Sequence, residues 1–512
     1  MIIECGILRS RYFDSVYLMR VAKRIASADG IQAAAAVLAT PKNLVALTQG
    51  GFVGAEALAA TASDLVVAVK ADSTAQARAV LDNLDEWLAR EPVSVGDVVS
   101  RTIAEAVRVQ PGSNLAVVSV PGEYATAEAR RALEAGLHVF LFSDNVSLED
   151  EISLKSLAEE RSLFVMGPDC GTAIIGGVGI GFANVVRRGP VGVIGASGTG
   201  MQEVTTLVHR AGSGISQAIG TGSRDLSDEV GGVTTMAALD LLDKDPGTAV
   251  IVVISKPPGP KALARLRARF LVCSTPIVTC FLGAQPSVSG VGRVVETSSL
   301  VSAARTAVEI VSGRPGGAEE ESSELPPQVS QERARLASQQ QFIRGVFAGG
   351  TLCYEAQQVL RDSGITVRSN TPLDKKLTMA DPYRSVGHCA VDLGDDVFTV
   401  GRPHPMIDST LRSERIQAEG DDPETAVILF DVVLGFGSAA DPAGDLLDAI
   451  RSARARAEAR GAYLPVVASI CGTSEDPQGL EEQESKLRDA GVLVFGSTMA
   501  AARAAAAIID RS

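Results

Sequence analysis

Two stretches of the chain repeat one pattern, and an internal repeat limits the available folds more than a single motif does. Ala196-Ser197-Gly198-Thr199-Gly200-Met201-Gln202-Glu203-Val204 matches Ala348-Gly349-Gly350-Thr351-Leu352-Cys353-Tyr354-Glu355-Ala356 in a Gly-Thr-x-x-x-Glu core. Each copy follows an apolar, strand-like run and opens a helix-like one. Further on, Asp245-Pro246-Gly247-Thr248-Ala249-Val250-Ile251 matches Asp422-Pro423-Glu424-Thr425-Ala426-Val427-Ile428, again ahead of a buried strand. The second pair is spaced more widely than the first, so the later copy carries an insertion, expected around residues 365–393. Strand and helix patterns alternate through both copies, which predicts an α/β fold with parallel sheets and ligands at strand C-terminal ends.

The rest of the chain divides around this repeat. Residues 1–97 alternate short strand and helix patterns (Ile2–Ile7, Ser15–Ser27, Gln32–Leu38, Asp64–Lys70, Thr74–Arg90), which predicts a small ferredoxin-like α+β domain. Residues 98–188 read as a Rossmann-like domain, with strands at Leu115–Val120 and Val139–Phe142 around a helix at Ala125–Ala135. The two repeat lobes then cover 189–313 and 339–512, and 314–338, rich in Pro, Gly, Ser and Glu, reads as a linker.

A strand-to-helix turn rich in glycine leaves the first N–H groups of its helix unpaired and aimed at one point, where the helix dipole favours an anion. Gly198, Gly349 and Gly350 allow close backbone approach. Ser197, Thr199 and Thr351 add hydroxyls for capping or contact. These six residues are the expected phosphate-binding set; the alternative is a pair of capped helices that bind nothing. Gly195–Gly200 reads G-x-x-G-x-G rather than the dinucleotide pattern, and no Gly-Lys-Ser/Thr occurs, so NAD and Walker-type sites are excluded.

Composition narrows the partners. A net charge of −14 and only 21 aromatic residues (14 Phe, 6 Tyr, 1 Trp) argue against nucleic acid. The seven scattered cysteines, with no C-x-x-C, exclude a disulfide framework and a zinc site, so no metal is assigned. No apolar run is long enough for a membrane span, and Met1–Ser15 lacks the apolar core of a signal peptide, so a cytoplasmic protein is expected.

At the repeated turns the chain resembles the succinyl-CoA synthetase superfamily. Gly195–Val204 and Gly349–Ala356 look like that family's phosphate turn, and Gly167-Pro168-Asp169-Cys170-Gly171 looks like the segment closing its CoA-binding domain. Within the superfamily the chain is similar to FdrA-type proteins, through Ser223–Gly232, Ser255-Lys256-Pro257-Pro258, Val391–Asp396 and Gly401–Asp408. The resemblance implies a CoA-binding-type Rossmann domain and two flavodoxin-like ligase lobes, whose paired helix N-termini face one phosphoryl site. The region matching the family's phosphohistidine segment, Thr275–Thr297, contains no histidine, and Ser255-Lys256 replaces its Gly-Glu pair. For FdrA-type proteins the resemblance implies a carbamoyltransferase subunit, converting oxalurate and phosphate to oxamate and carbamoyl phosphate with companion subunits in an oligomer. An acyl-CoA synthetase with CoA as cofactor, or a non-catalytic assembly scaffold, are the alternatives.

Several single residues are candidates. Arg224 and Arg402 fall in corresponding loops, where a guanidinium clamps phosphate or carboxylate; the alternative is an ion pair with Asp225 or Asp408, which are expected to line the site. His404, between two prolines, is the candidate acid/base, whereas His138 and His209 read as structural. Lys256, fixed before Pro257-Pro258, can aim its ammonium at phosphate. Asp169 and Cys170 are expected to line the site, and Asp392, Asp395 and Asp396 form an acidic cluster able to support a metal.

Overall fold

The computed structural model describes residues 2–9, 11, 13, 15–52, 60–61, 63–89, 100–284, 291–314, 325–399 and 402–510. The boundary expected at residue 97 and residues 315–324 of the expected linker lie outside them. The chain forms two compact units: Met1–Gly112 with Asp396–Pro403, and Ser113–Asp395 with His404–Ser512.

The first unit runs β1 (Ile2–Leu8), α1 (Ser15–Ala26), β2 (Ile31–Leu38), α2 (Pro41–Gln49), β3 (Leu65–Ala71), α3 (Thr74–Leu81), α4 (Leu84–Trp87) and α5 (Ile103–Val109). Its sheet has the order β1-β3-β2, antiparallel throughout, as in three strands of a ferredoxin-like unit. Central β3 is apolar without alternation because both faces are covered. Leu65, Val67 and Val69 meet Leu18, Val21 and Ile25 from one face of α1, while Val66 packs with Leu47 of α2 on the other side.

The second unit opens with β4 (Leu115–Val118), α6 (Gly122–Glu134), β5 (His138–Leu141), α7 (Leu148–Glu160) and β6 (Val165–Met166). These strands form a parallel sheet in the order β4-β5-β6, one βαβαβ half of a Rossmann fold. The chain then leaves this layer. The hairpin β7 (Thr172–Ile175) and β8 (Val178–Gly181) joins the next sheet through β7, so the last part of the expected 98–188 domain belongs to the first lobe's sheet.

That lobe continues through β9 (Arg188–Gly195), α8 (Gly198–Arg210), β10 (Ile215–Gly220), α9 (Val233–Lys244), β11 (Val250–Ser255), α10 (Pro260–Val272), β12 (Ile277–Phe281), β13 (Val294–Thr297) and α11 (Leu300–Ser312). The second lobe follows α12 (Pro327–Ala334) with β14 (Phe342–Phe347), α13 (Gly350–Asp362), β15 (Cys389–Asp392), α14 (Asp396–Thr399), α15 (Thr410–Asp421), β16 (Thr425–Val433), α16 (Gly444–Ala459), β17 (Val466–Cys471), α17 (Leu480–Asp489), β18 (Leu493–Phe495) and α18 (Thr498–Ile509); α14 groups with the first unit. The parallel strands order as β10-β9-β11-β12-β13 in one lobe and β15-β14-β16-β17-β18 in the other. Both are the flavodoxin-like sequence in which the chain reverses direction beside its first strand. Wholly buried β11 and β16 carry the continuous apolar runs Val250–Ile254 and Ala426–Phe430, as expected of strands covered on both faces.

Two details depart from the linear reading. In the first lobe Ala211–Gly214 connect α8 to β10, whereas residues 363–388 intervene between α13 and β15, which is where the insertion falls. The expected linker ends in a docked helix: Pro327 sits at the first helical positions of α12, Val329 is buried, and Arg333 Nε donates to Ala507 O of α18 at 2.9 Å.

Candidate functional site

The site grows from the two repeated turns. Ser197 is the N-cap of α8, its Oγ accepting from Gly200 N at 3.4 Å. In the other lobe a glycine stands at the cap position, and a carboxylate does the work instead. Asp431, buried on β16, accepts from Ala348 N and Gly349 N at 2.8 Å each, and Arg412 pairs with it at 3.1 Å. Among the described residues no group accepts from the N–H of Gly198, Thr199, Gly350 or Thr351, so both helix N-termini keep free donors.

The turns meet. Ser197 Oγ and Thr351 Oγ1 share a hydrogen bond across the lobes. A Cβ on Gly200 would stand 2.9 Å from Thr351 Cγ2, and one on Gly349 would stand 3.0 Å from Thr199 Cγ2. The glycines therefore let two helices approach end to end, and the repeat is a pseudo-symmetric pair rather than two separate turns. On the first lobe's side, Asp169, Cys170, Thr172, Ser197 and Gly198 line a shallow depression open to solvent. Cys170 is a lining group only: burial pushes its thiol up to about 12, and Sγ donates to Thr172 O.

The second lobe adds ionisable groups. Asp392, at the end of β15, has Oδ1 accepting from Gly394 N at 3.0 Å, and Oδ2 lies 2.6 Å from where a Cβ on Gly350 would be. Burial, then the neighbouring Asp395, pushes its carboxyl up to about 7. His404 Nε2 approaches the same corner, 2.7 Å from a Cβ position on Gly394. Its Nδ1 accepts from Met406 N at 3.3 Å, which places the ring proton on Nε2, and burial pushes its pKa down to about 4. His404 is thus a neutral N–H donor. Lys256 follows β11 and sets its Nζ 5.2 Å from the centre of the Tyr354 ring of α13. It is exposed, and its charge reaches Asp392.

Other expected residues stand elsewhere. Arg224 bonds Glu151 at 2.8 Å and Val146 O at 2.8 Å, inside a cluster in which buried Lys155 pairs with Asp225 at 2.7 Å and Glu151 at 2.9 Å. Asp225 caps α9 through Thr234 N and Thr235 N. These two residues tie the Rossmann-like half to the first lobe and do not line the site. Asp408 accepts from Thr410 N at the start of α15, a local capping role. Arg402 is exposed and groups with the first unit. Among the described residues no His, Cys, Asp or Glu group is arranged to hold a metal, so the acidic cluster has no metal-site geometry. No described helix is long and apolar enough to cross a membrane.

The histidines share one trait that sequence reading missed. His138, His209, His388 and His404 each accept a backbone N–H at Nδ1, from Phe164, Arg187, Ile343 and Met406. All four have lowered pKa values, with burial the largest cause. A phosphoryl carrier needs an unprotonated ring nitrogen facing its donor; this arrangement protonates Nε2 of His138, His388 and His404, while at His209 an Arg187 N–H also faces Nε2 at 3.4 Å.

Paired flavodoxin-like lobes with facing helix N-termini define a CoA-ligase type of protein, and comparison with known families agrees. The CoA-ligase family matches residues 346–508, the CoA binding domain family matches 186–270, and a family described as "AllF, heavy metal-associated domain" matches 1–101. The chain is 42% identical to the uncharacterized protein YahF of Escherichia coli over 97% of both chains. It is also 30% identical to the alpha subunit of the ADP-forming succinate–CoA ligase of Aquifex aeolicus, over 31% of this chain and 53% of that one. To the alpha subunit of malate–CoA ligase of Methylorubrum extorquens it is 29% identical, over 32% and 57%. The chain belongs to the acyl-CoA synthetase superfamily, alongside FdrA-like YahF, and spans about half the length of the ligase subunits it matches. These relatives correct the carbamoyltransferase expectation: the named activities are those of acid–thiol ligases, and none supports carbamoyl phosphate, a transferase or its companion subunits. The CoA-binding match falls on the first lobe, not on the 98–188 segment where the resemblance put it.

Proposed function

We propose that the chain performs acid–thiol ligase chemistry, holding the phosphoryl group of an acyl phosphate between α8 and α13 while CoA accepts the acyl group. The carrying observation is the Ser197–Thr351 contact, which sets two helix N-termini with free N–H groups against each other. In the step considered, the CoA sulfur attacks the acyl carbon, the carbon–oxygen bond to phosphate breaks, and the thiol proton ends on the departing phosphate. The helix dipoles stabilise charge on that phosphate. His404, neutral, donates from Nε2, and Lys256 adds a positive charge beside it. No phosphohistidine takes part in this reading, since every histidine holds Nδ1 against a backbone N–H.

The substrate class is a small carboxylic acid, by analogy with relatives named for succinate, malate and sulfoacetate. Because those relatives are named as subunits, a companion chain and an oligomer belong to the proposal. The test is calorimetric titration of CoA into the full chain, followed by phosphate-dependent release of free thiol from acetyl-, succinyl- and malyl-CoA. Binding of CoA with thiol release from any of them supports the reading. Absence of both sinks it.

A further inference from the structure

We propose that Asp392 is a proton-carrying catalytic residue of the twin-helix site: its protonated carboxyl donates from Oδ2 to the bound phosphoryl oxygen and delivers that proton when phosphate leaves. This rests on the reading of the site as an acyl-phosphate site. Asp392 is 6% exposed and lies at the first turn of α13, a helix of 13 residues. Its two oxygens are treated differently. Oδ1 takes the Gly394 N–H, while no described group donates to Oδ2, the oxygen that faces Gly350 and would clash with any side chain there. A carboxylate oxygen without a donor, on a side chain only 6% exposed and next to a site for an anion, is unfavourable twice over. A carboxylic acid in that place is a hydrogen-bond donor aimed at the anion.

The groups facing Asp392 favour the acid form. Asp395 follows it in the same loop, and Asp431 on β16 is also negative, though paired with Arg412 of α15. From α13 comes the Cys353 thiol, held neutral by burial, and the nearby His404 is neutral as well. Lys256, after β11, is a cation whose charge opposes this shift, and it is exposed. Asn370 brackets only the backbone of Asp392, through both its N–H and its C=O. In the transfer step the carbon–oxygen bond of the acyl phosphate breaks with its electrons going to phosphate, Asp392 gives that oxygen its proton, and the CoA thiol proton restores the acid.

The test uses sulfate, a dianion that does not itself titrate near neutrality, in calorimetric titrations of the full chain at pH 6 and pH 8. The wild type is expected to lose about tenfold in affinity between these pH values and, at pH 8, to take up about one proton per sulfate bound, read from the heat in buffers of different ionisation enthalpy. Asp392→Asn, a permanent donor of the same shape, is expected to bind equally at both pH values. A pH-independent wild type without proton uptake overturns the proposal, and so does an Asp392→Asn protein with the wild-type profile. If that variant does not fold, wild-type proton uptake decides alone. No sulfate binding at either pH instead removes the anion site, and with it the reading on which the proposal rests.

Discussion

Glu203 and Glu355 hold the same place in the repeated Gly-Thr-x-x-x-Glu pattern, and each caps the last helix of the opposite lobe. Glu203 Oε1 accepts from Thr498 N at 3.2 Å, and Glu355 Oε1 from Leu300 N at 2.9 Å. Each carboxylate meets a helix N-terminus whose first N–H otherwise lacks a partner. Replacing either glutamate by alanine is expected to cost about 1–2 kcal/mol, with the glutamine variants milder because an acceptor remains. Urea denaturation of the four variants checks this. Wild-type stability in both alanine variants would refute the capping role.

The buried cluster around Lys155 gives a sharper contrast. Lys155→Met strands Asp225 and Glu151 and is expected to destabilise by about 3–5 kcal/mol. Arg224→Ala, at a side chain 41% exposed, is expected to cost no more than about 1 kcal/mol and to leave phosphate affinity unchanged. A calorimetric loss of phosphate binding in Arg224→Ala would return that arginine to the anion site.

Much of this was legible in the residues, and the remainder has physical reasons. The turns at Gly198 and Gly350 are short-range signals, and the repeat predicted two alike lobes. That Ser197 touches Thr351 is a long-range contact with no local pattern behind it. Arg224 and Arg402 looked equivalent because both follow a lobe's first strands. Buried Glu151, reached through tertiary packing, claims one, and the other groups with the N-terminal unit. Asp392 read as a metal-supporting acid because sequence shows clustered carboxylates but not that burial raises the pKa of one. The Glu of the repeat was visible, while its partner on the opposite lobe was not.

Stability should respond to pH with two opposite signs. Asp392, raised to about 7, binds its proton more tightly in the fold than an ordinary carboxylate near 4, so its contribution falls as pH rises from about 4 through 7. His404, lowered to about 4, resists a proton that the unfolded chain accepts near 6.5, so stability also falls as pH drops from about 6.5 toward 4. Melting curves from pH 4 to 8 are expected to show Asp392→Asn gaining on the wild type toward pH 8 and His404→Asn gaining toward pH 4. Parallel curves for all three proteins would contradict both assignments.

On the proposed function, one phosphate is held by two helix N-termini, one from each lobe. Calorimetric titration of phosphate at pH 6 into the wild type, Gly198→Val and Gly350→Val, with melting curves to confirm folding, tests it most directly. One phosphate per wild-type chain is expected, with at least about tenfold weaker binding in each folded variant, because the added side chain enters the N–H cradle of its own helix. No binding by the wild type, or full affinity in either variant, would contradict it.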